Sequence, residues 1–133
     1  MIKIQGNYQG NLRCELAHPS TAIIQTDAPK DNQGEGKFFS PTDLVASALG
    51  SCMLTIIAIR ARTKGIEIGH PQLFIEKEMQ AAPRKINRVK IEIAFQEHIS
   101  IEQRKYLENE AKNCPVALSL SASLEQEIIF RYA

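Results

Sequence analysis

Residues 40–65, SPTDLVASALGSCMLTIIAIRARTKG, decide the fold. Ser40 suits an N-cap, Pro41 suits the first helical position, and Asp43 stands three residues after the cap, as in a capping box. From Leu44 to Arg62 the stretch carries almost no polar surface. Lys64 and Gly65 supply the stop, and Arg60 and Arg62 lie favourably near the negative end of the helix dipole. The spacing predicts one long helix. Being apolar nearly all round, it must be buried on most sides. A chain of 133 residues would struggle to wrap such a helix alone, so burial against a second copy, a homodimer, is the expectation.

The segments on either side read as strands and shorter helices. Upstream, Ile2 and Ile4 alternate with polar neighbours, and Gly10-Asn11 offers a tight hairpin turn. On the return strand Leu12, Cys14 and Leu16 point one way, and Arg13 and Glu15 the other. Ala22 to Ile24 suggests a further strand. Asp27 to Phe39, rich in Asp, Pro, Asn and Gly, reads as a long loop, and loops of that length usually serve a site or an interface.

Downstream, Leu73 to Met79 forms one strand. Val89, Ile91, Ile93 and Phe95 alternate with polar neighbours in the next. Their link, Gln80 to Lys85 with Pro83, predicts an antiparallel hairpin with a longer loop. Ser100 and Gln103 form a capping box for a second helix running to about Asn113, with Leu107, Ala111 and Cys114 on one face. Pro115 stops that helix and can open a short new one. Ile128, Phe130 and Tyr132 close the chain as a strand. The order predicts an α+β fold with antiparallel sheets rather than a parallel βαβ array. No shift in composition divides residues 1–133, so a single domain is expected.

Composition narrows the function classes. Hydrophobic residues make up 44% of the chain, enough for a core. A formal net charge of +1 gives no general attraction to nucleic acid or to an anionic membrane. The N-terminus has no apolar signal core, and the uncharged stretch Leu44–Ile59 is shorter than the roughly 20 residues that span a bilayer. These features predict a cytoplasmic protein with reduced thiols and no nucleic-acid or membrane partner. Three cysteines without a CxxC or HExxH pattern argue against structural zinc.

Three cysteines, three histidines and one arginine are the candidates for chemistry. Cys52 lies in mid-helix, where a small core hydrophobe and a reactive thiol are both possible. Cys114 directly precedes Pro115 and so suits an N-cap, where free backbone N–H groups stabilise a thiolate and lower its pKa. Cys14 reads as core. His18, His70 and His98 fall near turns or element ends and read as solvated or capping residues. Arg13, opposite Cys14 on its strand, reads as a solvent-facing charge. Asp43 is accounted for by the capping box.

Two motifs around the cysteines carry a family likeness. FSPTDLVASALGSCMLTIIAIRA resembles the first cysteine helix of the OsmC-like family, which includes organic hydroperoxide reductases. NCPVALSL resembles the second cysteine motif, in which Cys-Pro opens a short helix. The interval between the cysteines and the order of elements are also similar to the family's. The resemblance implies an intertwined homodimer with the cysteine helices at its centre. It also implies thiol-dependent reduction of a small organic peroxide with no bound cofactor and an external dithiol as reductant.

By the resemblance Cys52 is the peroxidatic residue, Cys114 the resolving one, and Arg13 the cation that activates Cys52. In the stricter hydroperoxide reductases a Pro-Glu pair at the start of the cysteine helix holds that arginine. Here Pro41-Thr42 stands in its place, with Asp43 one position later and a methylene shorter. At about 100° per residue, Asp43 and Cys52 fall on opposite helix faces, so Asp43 can support the site only by orienting a distant arginine or by acting across the dimer. Two non-catalytic readings remain open at this point: a dimer that binds a small apolar ligand or a partner, and a thiol redox sensor.

Overall fold

The computed structural model describes residues Met1–Ala133. Contacts divide the chain into two compact units, Met1–Val45 and Ala46–Ala133, a boundary with no trace in composition because it falls inside one continuous helix.

The first unit is built on strands β1 (Gln5–Gly10), β2 (Arg13–Ala17) and β3 (Ile23–Asp27), an antiparallel sheet in that order. The β1–β2 turn lies one residue later than Gly10-Asn11. Gly10 pairs with Arg13, and Asn11 and Leu12 form the two-residue loop with φ of 54° and 63°. Positive φ at both central positions is the twist a two-residue hairpin requires. Leu12 therefore belongs to the turn rather than to the apolar face of β2. Beyond β3 the chain makes one 3-10 turn at Lys30–Asn32 and returns to Ser40.

Helix α1 (Pro41–Lys64) starts and stops as its sequence predicts. Asp43 donates its backbone N–H to Ser40 Oγ at 3.0 Å, and its Oδ2 accepts from the Ser40 N–H at 2.9 Å, closing the capping box. At the far end Gly65 has φ of 66°. Ile66 N–H reaches the Ala61 carbonyl at 2.8 Å and Gly65 N–H the Arg62 carbonyl at 3.4 Å, the paired bonds of a Schellman stop. By length and composition α1 could cross a membrane. Its buried residues Ala46, Leu49, Gly50, Met53, Ile57 and Ala61 nevertheless recur on one face, as in a core helix.

The second unit contains strands β4 (Gln72–Ala81), β5 (Arg84–Ala94) and β6 (Glu125–Arg131), and helices α2 (Ile101–Lys112) and α3 (Pro115–Ser119). Strands β4 and β5 pair up to Ala81 and Arg84, so the expected long loop shrinks to Ala82-Pro83, with a cis peptide between them. Pro83, which has no N–H for a ladder, takes the turn. Strand β6 lies parallel to β5, reached through α2 and α3, so one parallel crossover is set within an otherwise antiparallel arrangement.

The alternation in β5 works as read: Val89, Ile91 and Ile93 are buried with Phe95, Ile99, Leu107, Ala111 and the inner face of α1 in one core. Gly50 lets the helix approach the sheet closely, since a Cβ there would stand 2.7 Å from Ile75 Cδ1 and 3.2 Å from Ile91 Cδ1. The opposite sheet face carries cross-strand ion pairs, including Arg88 with Glu78 and Glu127, and Arg131 with Glu92.

Candidate functional site

In the second unit the chain makes a sharp change of direction at Cys114. Helix α2 ends at Lys112, and Cys114 takes extended angles, φ −67° and ψ 154°, as the N-cap of α3. Pro115 enters at the first helical position, where its missing N–H costs nothing. The Cys114 sulfur accepts the Ala117 N–H at 3.4 Å, and the Cys114 carbonyl accepts the Leu118 N–H at 3.1 Å. Gln126 on β6 donates Nε2–H to the Ala117 carbonyl at 3.2 Å and ties α3 to the sheet. Leu107, Ala111 and Cys114 share a buried face, as their spacing predicts.

Cys52 and Cys114, remote in sequence, are neighbours in this unit. Cys52 packs half-buried against the core that contains Cys114, close enough for its hydrogen bonding and charge to act on the Cys114 thiol. Cys114 itself is fully buried. Burial pushes its pKa up, and the adjoining Cys52 pushes in the same direction. The N–H groups of Ala117 and Val116 pull the other way and lose. The N-cap position thus holds as predicted, but the expected lowering of the thiol pKa does not. Desolvation, which an isolated N-cap motif does not reveal, outweighs the helix-end amides. Burial disfavours the Cys114 thiolate, and Cys52 is the more exposed of the two sulfurs.

In the first unit Arg13 is an anchored group rather than a solvent-facing charge. Its side chain is only 20% exposed. Nη2 reaches Glu35 Oε2 at 3.1 Å, and Nε lies 3.5 Å from Oδ2 of the buried Asp27. The Phe38 ring stands under the guanidinium at 5.5 Å from its centroid. Asp27 Oδ2 also accepts the Lys37 N–H at 2.9 Å. Glu35 accepts from Asn11 Nδ2 at 2.9 Å and pairs with Lys37 Nζ at 2.9 Å. Those hydrogen bonds from Asn11 and Lys37, with the charges of Lys37 and Arg13, hold the Glu35 carboxyl down to about 2. Sequence reasoning passed over Asp27 and Glu35. The available signal was the length of the Asp27–Phe39 loop, together with its Gly-Glu-Gly at 34–36.

The remaining candidates are placed simply. Cys14 is half-buried on β2, in register with Tyr8 and Thr26. The three histidines are exposed, and His18 closes a local turn by accepting the Ser20 N–H at 3.0 Å. No group of three or more His, Cys, Asp or Glu side chains gathers in a way that could hold a metal ion.

Known proteins share this fold. The family model described as OsmC-like protein matches residues 34–128. The crystal structure of a Psychrobacter arcticus protein described as an osmotic stress induced and detoxification response protein is 43% identical. The match covers 98% of this chain and 96% of that one, with a TM-score of 0.94. An organic hydroperoxide resistance protein OsmC from Legionella pneumophila shares the fold at 15% identity, covering 98% and 96% of the two chains, with a TM-score of 0.75. The organic hydroperoxide resistance protein OhrB of Bacillus subtilis does so at 15% identity, covering 98% of each chain, with a TM-score of 0.69. No curated protein matches the chain. Over most of its length, in family model and in fold, this chain belongs to the OsmC-like family.

Proposed function

We propose that this protein is a thiol-dependent peroxidase that reduces organic hydroperoxides. The observation that carries the reading is the unequal pair of sulfurs: a half-exposed Cys52 beside a buried Cys114 that holds its proton. Family membership and the organic hydroperoxide resistance proteins among the structural neighbours support a redox role of this type.

The chemistry runs in three balanced steps. The Cys52 thiolate attacks the terminal peroxide oxygen, the O–O bond breaks, and the alkoxide leaves as the alcohol after taking a proton. Cys52 is then a sulfenic acid. The Cys114 sulfur attacks the Cys52 sulfur, expels water and forms the disulfide, which protects Cys52 from further oxidation. An external dithiol reduces the disulfide by exchange and is itself oxidised to a disulfide. Arg13 is the cation assigned to favour the Cys52 thiolate.

The substrate class follows from the surroundings. Of the neighbours of Cys52 one turn away on α1, Ala48, Leu49 and Ile56 are apolar and Thr55 alone is polar, a setting that suits an organic substituent better than hydrogen peroxide. The same apolar surface supports assembly as a homodimer. Outside its buried face, α1 leaves Leu54, Ile56 and Ile59 half-covered or exposed. Sedimentation should give twice the 14.9 kDa chain mass. A folded monomer at micromolar concentration would contradict the dimer.

Steady-state turnover tests the activity. Protein with excess dithiothreitol should consume cumene hydroperoxide catalytically, and Cys52→Ser should abolish consumption. Consumption no faster than by dithiothreitol alone would refute the reading.

A further inference from the structure

Arg13 is held by a segment whose backbone is shaped for the purpose. The Asp27–Phe39 loop folds back over the β1–β2 turn and is stitched to it, and to itself, by main-chain bonds. Ala28 N–H reaches the Leu12 carbonyl at 3.1 Å, and Gly36 N–H reaches the Ala28 carbonyl at 3.1 Å. Gly34 crosses Ala28 so closely that a Cβ would lie 1.8 Å from the Ala28 carbonyl oxygen. Gly36 takes φ of 63°, a conformation that side chains rarely adopt. Between these two glycines stands Glu35, its carboxylate shared by Asn11, Arg13 and Lys37.

We infer that Gly34-Glu35-Gly36 is a carboxylate clip that positions the Arg13 guanidinium, with Glu35 as its positioning residue. An exposed ion pair ordinarily contributes little, because two long side chains must be immobilised to form it. Here that cost is reduced at both ends. The glycine-shaped backbone fixes Glu35, and Asn11 and Lys37 hold its carboxylate before Arg13 is counted. Asp27 alone does not fix the guanidinium. Its contact with Nε at 3.5 Å is an ion pair, and Arg13 Nε and Asp27 Oδ1 are both buried without a hydrogen-bond partner. The hydrogen bond that orients the group is the one to Glu35.

For catalysis the inference rests on the reading of Arg13 as the activator of Cys52, and the test separates the two. Nitrogen relaxation of the Arg13 Nε–H reports the rigidity of the side chain whatever the protein's activity. Rapid mixing with cumene hydroperoxide reports the rate of Cys52 oxidation. In Glu35→Gln the Arg13 side chain should become mobile and the oxidation rate should fall about tenfold. Glu35→Asp, which keeps the charge, should recover part of both. Adding Arg13→Lys to Glu35→Gln should slow oxidation no further than Arg13→Lys alone. Gly34→Ala, which leaves the carboxylate in place but displaces its backbone, should loosen Arg13 as Glu35→Gln does. An Arg13 that stays rigid in Glu35→Gln overturns the clip. A mobile Arg13 with an unchanged oxidation rate, where Arg13→Lys is slow, overturns the positioning role. If Arg13→Lys reacts as fast as the wild type, the activating role of Arg13 falls, and relaxation alone decides the clip.

Discussion

Cys114 is fully buried with Cys52 beside it, and its thiol pKa is raised by that burial first and by Cys52 second. In the proposed cycle this burial disfavours the thiolate of the sulfur cast as resolving, while the sulfur cast as attacking is the more exposed. Division of labour between two chemically identical groups follows from their environments.

Removing the buried partner should leave the first step intact and block the second. In Cys114→Ser, one equivalent of peroxide should convert Cys52 to a sulfenic acid that dimedone traps, and excess peroxide should drive it to the sulfinic acid. Intact mass should show the added oxygens with no disulfide. A variant that turns over normally would remove Cys114 from the cycle.

Alkaline pH should cost stability through Cys114. Its folded pKa lies above the ordinary value near 9, so its contribution is complete below that value and is lost as pH rises toward the folded pKa. Urea midpoints measured upward from pH 8 should fall less steeply in Cys114→Ala than in the wild type. The resolving step should quicken over the same range as the attacking thiolate appears. Identical slopes in the two proteins would contradict the raised value.

Glu35 should stay ionised in acid. Its carboxyl is held to about 2, with the Asn11 hydrogen bond the largest cause. The group is depressed relative to an unfolded carboxyl, so what it contributes is complete above the unfolded pKa of 4.5 and is lost as pH falls through about 2. Carbon-detected titration should show a midpoint well below 4.5, and Asn11→Ala should move it upward.

Two glycines in the second unit should resist substitution for different reasons. Gly50→Ala places a Cβ against Ile75 and Ile91, an overpacking that costs about 1–3 kcal/mol. Gly65→Ala has open space around it but must hold φ of 66°, which costs about 1 kcal/mol. Denaturant midpoints check both. The Gly50 variant should also shift core methyl resonances, whereas the Gly65 variant should leave them unchanged.

The framework was legible where one signal dominated. Ser40, Pro41 and Gly65 bound α1, Ser100 and Gln103 cap α2, and Pro115 opens α3, because each is a local stereochemical demand. The parallel seat of β6 was not legible, since alternation in Ile128 and Phe130 fixes a strand's faces but not its direction. The raised Cys114 pKa is not legible in its N-cap motif because burial depends on every element packed around it. The sequence points to the helix start for an acid that holds Arg13. Asp27 meets the arginine as its cross-strand partner in the β2–β3 register, and Glu35 is carried to it by a loop folded through the backbone bonds from Leu12 through Ala28 to Gly36.

In the proposed cycle Cys52 takes the oxidising equivalent and passes it to Cys114. Reduced protein mixed with one equivalent of cumene hydroperoxide, quenched in acid at millisecond intervals and mapped by peptide mass spectrometry, tests it directly. The expected course is a Cys52 sulfenic acid formed far faster than in a free thiol, followed by a Cys52–Cys114 disulfide with Cys14 unchanged. Cys52 reacting no faster than a free thiol, or an oxidised protein without that linkage, would contradict it.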